Sequence, residues 1–477
     1  MPRVLKKFFL RKKNNIELLL STNSKSERAV IFSKMGLYRT ILANPEYKNT
    51  YPYIISLYAC GYSEQAKVSL DKYIKTESFS KNKVHFILSI LPFDKDVAYS
   101  LLDKSFDVLS IANILSQRND LKELSDFLLS LDKKAFKAKP ELYLLYNFIT
   151  RDTNSKLNNL NRYLVSYHLD KIELLDLKGN LFVTNLKNKE LRLRKLVNDS
   201  LPLVSIIVTT YNSQEYIIST LLSLVNQTYP NKEIIIIDDN SKDATIDIIQ
   251  NMMSRYSFIR LIKLERNVGT YVAKTIGTLL SKGEFVTNND SDDWAHPRKI
   301  ELQIYPLLKN PKLVVSFSKW IRLKDDGTFY ARAVSPLTRF NPSSALFRKK
   351  DVIEKTGLWN LVRTGADSEF NARLKLVFKD QYVMVNKPLT IGAHRENSLM
   401  TAKDTGYSPN GISLTRLQYW ESWNYWHINA IKNNISLIIR ENLAYPFTVP
   451  KEIMVNKDDI LFCFEQFGIP KRKLVLN

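Results

Sequence analysis

Residues 203–212 read Leu-Val-Ser-Ile-Ile-Val-Thr-Thr-Tyr-Asn, a continuous β-branched run of the kind a strand carries when both its faces are buried. A second such run leads into Asp238-Asp239-Asn240-Ser241, a third spans 258–264, and a short fourth, 284–287, follows Lys282-Gly283. Helical patterns fall between them, at about 215–227 and after Gly269. Strands alternating with helices of about 10–15 residues predict an α/β fold with a parallel, doubly wound sheet. Ligands of such sheets bind beyond the carboxyl ends of the strands. Tyr211, Asn212, Asp238, Asp239, Asn267 and Asp290 to Asp293 all stand at that edge, so their polar groups are expected to meet in one crevice.

The fourth strand runs into Asn288-Asn289-Asp290-Ser291-Asp292-Asp293-Trp294. Carboxylates crowded this closely repel one another, and one or more is driven toward protonation. A divalent cation removes that cost, and Mg²⁺ and Mn²⁺ prefer carboxylate oxygens. Alone, an Asp-Ser-Asp stretch is a solvated acidic turn. Its place at the sheet edge favours the metal.

Taken in order, Val204 to Asn212, then Asp238-Asp239-Asn240-Ser241, then Asp290-Ser291-Asp292-Asp293 resemble a family 2 glycosyltransferase with the GT-A fold. The sequence is similar in particular to bacterial enzymes that build capsular or other surface polysaccharides. The resemblance covers roughly residues 200–400. Each motif alone is weak, and the ordered set is what carries it.

The resemblance implies roles. Thr209 and Tyr211 form the corner that meets the nucleotide base. Asp239 accepts a hydrogen bond from uracil N3–H, which favours uridine over cytidine; its other reading is a helix-capping acid, a task open to Ser241 or Asp243. Asn267-Val268-Gly269 precedes a helix whose N-terminus favours phosphate. Lys274 stands where the family often has Arg, and offers the nucleotide a charge without a bidentate fork. Asp290 lies near the ribose and is counted with the metal group, Asp292 ligates the metal that bridges the diphosphate, and Asp293 serves the metal or the acceptor side. Trp294 lines the sugar pocket or packs in the interior.

Further along, Asp367 stands six residues before Arg373, as in the family's Glu-Asp element. The family's preceding Glu is Ala366 here, and Glu369 is a substitute for part of its role. Inverting transfer needs a base opposite the leaving diphosphate, and Asp367 is the candidate; its other reading is a helix N-cap. The loop with His394 and Arg395 resembles the one that closes over the diphosphate, and either residue suits it. His85, His168, His296 and His427 show no metal spacing.

A length of 477 residues implies two or three domains, and 44% hydrophobic with 25% charged residues is ordinary for a globular chain. No run approaches the 18 apolar residues of a transmembrane helix. The N-terminus lacks a signal-peptide apolar region. Cys60 and Cys463 suggest no disulfide framework, which points to a reducing cytoplasm. The net charge of +22 implies an anionic partner: a membrane surface, nucleic acid, or an acidic acceptor. Residues 1–13 interleave Arg and Lys with Val, Leu and Phe, which reads either as a basic amphipathic segment for an anionic bilayer or as a solvated terminus.

The expected division is an α-helical N-terminal domain at 1–195, a GT-A domain at 200–405, and a C-terminal helical extension at 406–477. Residues 51–74 look like one tetratricopeptide-type helix pair, 98–115 and 121–131 like further helices, and an α-solenoid and an irregular bundle both remain open. The aromatic helix near 417–431 reads as packing on the catalytic domain, with acceptor or membrane contact as its alternative.

The reading is an inverting, Mn²⁺- or Mg²⁺-dependent transferase that moves a sugar from a UDP-sugar to a saccharide or lipid-linked saccharide acceptor, cytoplasmic or peripheral at the inner membrane face. The alternatives are a basic nucleic-acid-binding protein, though no such motif interleaves with the charge, and a nucleotidyltransferase, which leaves Asp367 without a task. A dinucleotide-binding dehydrogenase lacks its Gly-x-Gly-x-x-Gly after the first strand.

Overall fold

A computed structural model describes residues 14–118, 120–188, 201–330, 337–395, 404–440 and 444–469. The basic segment 1–13 lies outside the described residues, as do the expected domain join at 195–200 and residues 396–403 before the second border.

The β-branched runs form strands. Val204–Thr210 is β1, with every residue buried; α1 (Ile217–Val225), β2 (Lys232–Asp238), α2 (Thr245–Arg255), β3 (Ile259–Lys263), α3 (Thr270–Leu280) and β4 (Phe285–Asp290) follow. Then come β5 (Asp293–Ala295), α4 (Lys299–Lys309), β6 (Val315–Leu323), β7 (Leu346–Arg348), α5 (Ala366–Phe378), β8 (Tyr382–Ala393) and α6 (Leu414–Lys432). The sheet runs β3-β2-β1-β4-β7-β6-β8-β5. Its first four strands are parallel. β7 is antiparallel to both β4 and β6, and β8 is parallel to β6 but antiparallel to β5. This is the mixed, doubly wound sheet of the GT-A fold.

The N-terminal region is helical from Asn15–Ser21 to Thr153–Ser166, and the pair Tyr51–Ala59 and Ser63–Tyr73 stands where the sequence places it. The expected helix at 98–115 is two helices, Lys95–Ser100 and Val108–Leu115. Asp107 causes the break: its carboxylate accepts the Leu109 and Ser110 N–H groups and starts a new helix. The region also ends in a short antiparallel pair, Ile172–Leu174 with Leu186–Asn188, rather than in helix. Phe329–Tyr330 forms a short further strand, and residues 331–336 lie outside the described residues.

Packing crosses the expected domain borders. Leu109, Leu142 and Tyr163 share a core with Trp294, Ile321 and Ile391 of the sheet. Tyr419, Trp423 and Phe464 share another with Val272, Phe347 and Phe370. Both flanking regions therefore fix the sheet edge where the site lies. Among the described residues, no helix is long and apolar enough to cross a membrane.

Candidate active site

A cavity of about 530 Å³ opens at the carboxyl edge of β1, β2 and β4. Thr209, Tyr211, Asp239, Lys274, Asp290, Asp292, Asp293, Asp367 and Arg395 all line it. Residues from 209 to 395 thus meet in one crevice. Of the residues expected there from the strand ends, Asn212, Asp238 and Asn267 do not line it: Asn212 borders a second cavity and Asp238 is fully buried. His394 does not line it either.

The β1 and β2 ends turn sharply at Asn212 and Asn240, both of positive φ, a conformation Asn tolerates better than other non-Gly residues. Behind the second turn, Asp238 accepts the Ser241 N–H at 2.9 Å, which frees Asp239 from the capping task. The Asp239 carboxylate instead accepts the N–H groups of Val268, at 2.7 Å, and Gly269, at 2.8 Å. Gly269 has φ +83°, which a side chain would strain, and this conformation aims its N–H at the carboxylate. Burial pushes the Asp239 carboxyl up to about 6 against those two bonds. Asn267 is a tether: its amide donates to the Asp239 carbonyl and its Oδ1 accepts Arg363. Thr209 shares a hydroxyl hydrogen bond of 2.7 Å with Thr270, and Tyr211 is 49% exposed at the mouth.

Lys274 is 1% exposed, and its ammonium lies 3.3 Å from Asp290 and 3.2 Å from Asp367. Burial alone would lower its pKa, but the two carboxylates outweigh that and raise it, so the charge is permanent at neutral pH. The structure therefore gives Lys274 to the two acids. Asp290 also accepts the Ser343 hydroxyl at 2.7 Å; burial raises its carboxyl, and Lys274 and Ser343 bring it below the usual range.

Asp292 pairs with Arg395 at 2.8 Å. Burial, with Asp290 nearby, still holds the Asp292 carboxyl above the usual range, and burial with both neighbours raises Asp293 further. Asp293 and Trp294 point to opposite faces of β5, as successive strand residues must. Asp293 faces the cavity, whereas Trp294 is 1% exposed in the core shared with the N-terminal helices, so its role is packing.

Asp367 lies in the first turn of α5, whose N-cap is Gly365, so it is not the cap. Its carboxylate receives Trp359 Nε1 at 3.0 Å, Lys274 at 3.2 Å and the Tyr271 hydroxyl at 3.3 Å. Burial raises its carboxyl, opposed by Lys274. Glu369 is no substitute: it is fully buried, bonded to Arg373 at 2.7 and 2.8 Å and to His427 at 3.0 Å. Burial would raise it, but those partners hold its carboxyl down at about 2. Arg373 in turn donates to the carbonyls of Thr356 and Leu358.

Arg395 borders both this cavity and a second, more open one, and His394 faces only the second, stacked on Tyr330 at 3.8 Å. Of the alternatives His394 and Arg395, the cavity takes Arg395. Several lining or supporting groups carried no sequence signal of a role: Tyr271, Ser343, Tyr407 and Arg416. Trp420, on the aromatic helix for which acceptor contact was the alternative reading, lines the cavity, and Trp359 supports Asp367. Trp359 stood in the stretch beside the Asp367 element and could have been read as its partner.

Residues 205–367 match the family model for glycosyl transferase family 2. The chain is 38% identical over 111 residues to an uncharacterized glycosyltransferase of Haemophilus influenzae, covering 23% of this chain and 44% of that protein. It is 37% identical over 125 residues to the UDP-Glc:alpha-D-GlcNAc-diphosphoundecaprenol beta-1,3-glucosyltransferase WfaP of Escherichia coli, covering 26% of this chain and 48% of that protein. It is 27% identical over 245 residues to chondroitin synthase of Escherichia coli, covering 51% of this chain and 33% of that protein. In each case the chain spans less than half of the relative's length. With the family match falling on the strands and acids that build the cavity, the chain carries a family 2 glycosyltransferase domain.

Proposed function

We propose that this protein is an inverting glycosyltransferase that moves a sugar from a UDP-sugar to a saccharide hydroxyl, with a divalent metal, in cell-surface polysaccharide synthesis. The observation that supports it most is a buried carboxylate, Asp367, in the same cavity as the acidic edge and tied to it through Lys274. That would put a base in the same cavity as a place for a leaving diphosphate.

The donor set fits Mg²⁺ or Mn²⁺. Asp292 and Asp293 are hard oxygen ligands whose burial leaves them poorly compensated. Among the described residues no three acidic, His or Cys side chains converge on one point, and such a cation needs only one or two carboxylates when substrate phosphates complete its shell. Asp292, with Asp290 or Asp293, would hold it. Once bound, the metal neutralises charge on the leaving diphosphate, worth several kcal/mol.

The chain's own residues supply the remainder. Asp239 accepts uracil N3–H at the β2 edge, and Arg395 offers a guanidinium to diphosphate oxygens, which its planar fork suits. Lys274 favours the ionised form of Asp367 against its burial, and Trp359 and Tyr271 fix its orientation. Asp367 then takes the acceptor hydroxyl's proton as that oxygen attacks the sugar's C1 and UDP departs from the opposite face.

Calorimetry tests the donor assignment. UDP with Mn²⁺ should bind more tightly than CDP, GDP or ADP, and Asp292→Ala should abolish the metal's contribution. Equal binding of another nucleotide would refute the uridine assignment, and a metal effect that survives Asp292→Ala would refute the metal one.

A further inference from the structure

The cavity has a second end, built outside the matched residues. There its wall includes Tyr407, Arg416 and Trp420. The last two belong to α6, which touches the turn that presents Asp367. Arg416 Nη2 donates to Thr364 Oγ1 at 3.4 Å, and a Cβ on Gly365 would stand 3.2 Å from the Tyr419 ring. The rings of Tyr407 and Trp420 lie 6.0 Å apart at 48°, and the Arg416 guanidinium sits 4.7 Å over Tyr407.

The N-terminal helices hold this wall from behind. A Cβ on Gly36 would come within 3.0 Å of Trp420 Cε3, so the end of the helix Lys25–Met35 seats directly on the indole. Asn424 donates to the Met35 carbonyl at 3.1 Å, and the Thr40 N–H donates to Glu421 at 3.0 Å. Three successive turns of α6 are thus referenced to the N-terminal region or to the Asp367 turn. Both rings pack against Ile412 and Leu417 and stay half-buried where they border the cavity.

We propose that Trp420 and Tyr407 form the acceptor subsite, which receives a pyranose ring by its C–H face. This rests on the glycosyl-transfer reading. The hydrogens on that face are slightly positive and the aromatic face is negative, so the two stack, and the contact discriminates little among sugar hydroxyls. The stacked ring is held in the cavity that Asp367 shares, where its hydroxyl gives up a proton. The N-terminal helical region then acts as the brace for the acceptor wall.

The probes are methyl glycosides of glucose, galactose, mannose, N-acetylglucosamine and N-acetylgalactosamine, observed by saturation-transfer NMR on the full chain with UDP and Mg²⁺. At least one should bind the wild-type protein, and Tyr407→Ala and Trp420→Ala should each weaken it about tenfold. UDP affinity in the same samples should stay within about twofold, since the base and the diphosphate are assigned to other residues. Trp420→Ala opens a gap against Gly36, so Tyr407→Ala, at a half-buried position, decides the case if the first variant does not fold. Unchanged glycoside binding in Tyr407→Ala, or no glycoside binding to wild-type protein that binds UDP, overturns the subsite. Failure of UDP itself to bind counts against the transferase reading instead.

Discussion

Two carboxylates stand two positions apart on α5 and face different regions. Asp367 looks into the cavity with its side chain 16% exposed, while Glu369 looks into the interior against α6 with none. Burial pushes both carboxyls up. Their partners decide the outcome. Glu369 has a guanidinium fork to itself and a histidine besides, and falls to about 2. Asp367 shares one ammonium with Asp290, and stays above the usual range. Each carboxylate accepts several hydrogen bonds, so the number of partners does not separate them; access does. Glu369 is sealed against its own guanidinium, whereas Asp367, half a turn away, is open to a cavity.

The largest effect expected of this contrast is in Asp367→Asn. The amide keeps the shape and part of the hydrogen bonding but takes no proton at neutral pH. Transfer should fall by about 10²–10⁴-fold, while UDP and metal bind as before. UDP release in the presence of acceptor, with calorimetry on the same preparation, measures both. A folded Asp367→Asn protein at the parental rate would move the base elsewhere, and Asp293 would be next, since Glu369 is sealed from the cavity.

Glu369→Gln should show the converse. It strands the Arg373 charge in the interior, and breaking such a pair costs about 3–5 kcal/mol. Urea unfolding at neutral pH reads the loss, and the folded fraction should retain its UDP affinity. The pH dependence has a definite sign. A carboxyl depressed from 4.5 to about 2 stabilises the folded state above pH 4.5, and that contribution disappears as pH falls through about 2. Glu369→Gln should lack this acid-labile component. A variant as stable as the parent would mean that Arg373 is satisfied by its carbonyl partners alone.

Much of this contrast was legible in sequence, and some of what was missed had a signal. The β-branched runs marked which strands are buried on both faces, and their carboxyl ends brought Asp239, Asp290 and Asp292 together; Asp367, on a helix, was found through its spacing to Arg373. Glu369 and Arg373 are four apart on a helix, the spacing of an intrahelical ion pair, which should have taken Glu369 out of consideration as a base. The alternation of Asp293 and Trp294 on a strand likewise assigns one to the cavity and the other to the core. Nothing local marks the long-range partners. His427 reaches Glu369 across 58 residues, Ser343 reaches Asp290 across 53, and Gly36 meets Trp420 from the far end of the chain. Those contacts depend on how helices outside the family pattern dock, and helical periodicity gives a helix its apolar face without saying what covers it.

A third carboxylate sharpens the comparison with the smallest expected effect. Asp239 is buried too, at 4% exposed, but the partners of its two oxygens are backbone N–H groups rather than a cation. Burial therefore wins and its carboxyl rises to about 6. The sign is opposite to that of Glu369: a raised carboxyl stabilises the folded state most below the unfolded value near 3.8, and that contribution is lost as pH rises through about 6. Binding should run against stability. Only the ionised form accepts uracil N3–H through either oxygen, so between pH 7 and pH 5 UDP affinity should fall about tenfold, following the ionised fraction. Asp239→Asn should bind weakly at pH 7 and show little further change down to pH 5. Calorimetry at the two pH values, with the metal saturating, separates this from protonation of Asp292, because that loss would disappear when uridine replaces UDP. If uridine binding to the parent is the same at pH 5 and pH 7, Asp239 does not hold the base, and its two hydrogen bonds serve only to anchor the Val268–Gly269 turn.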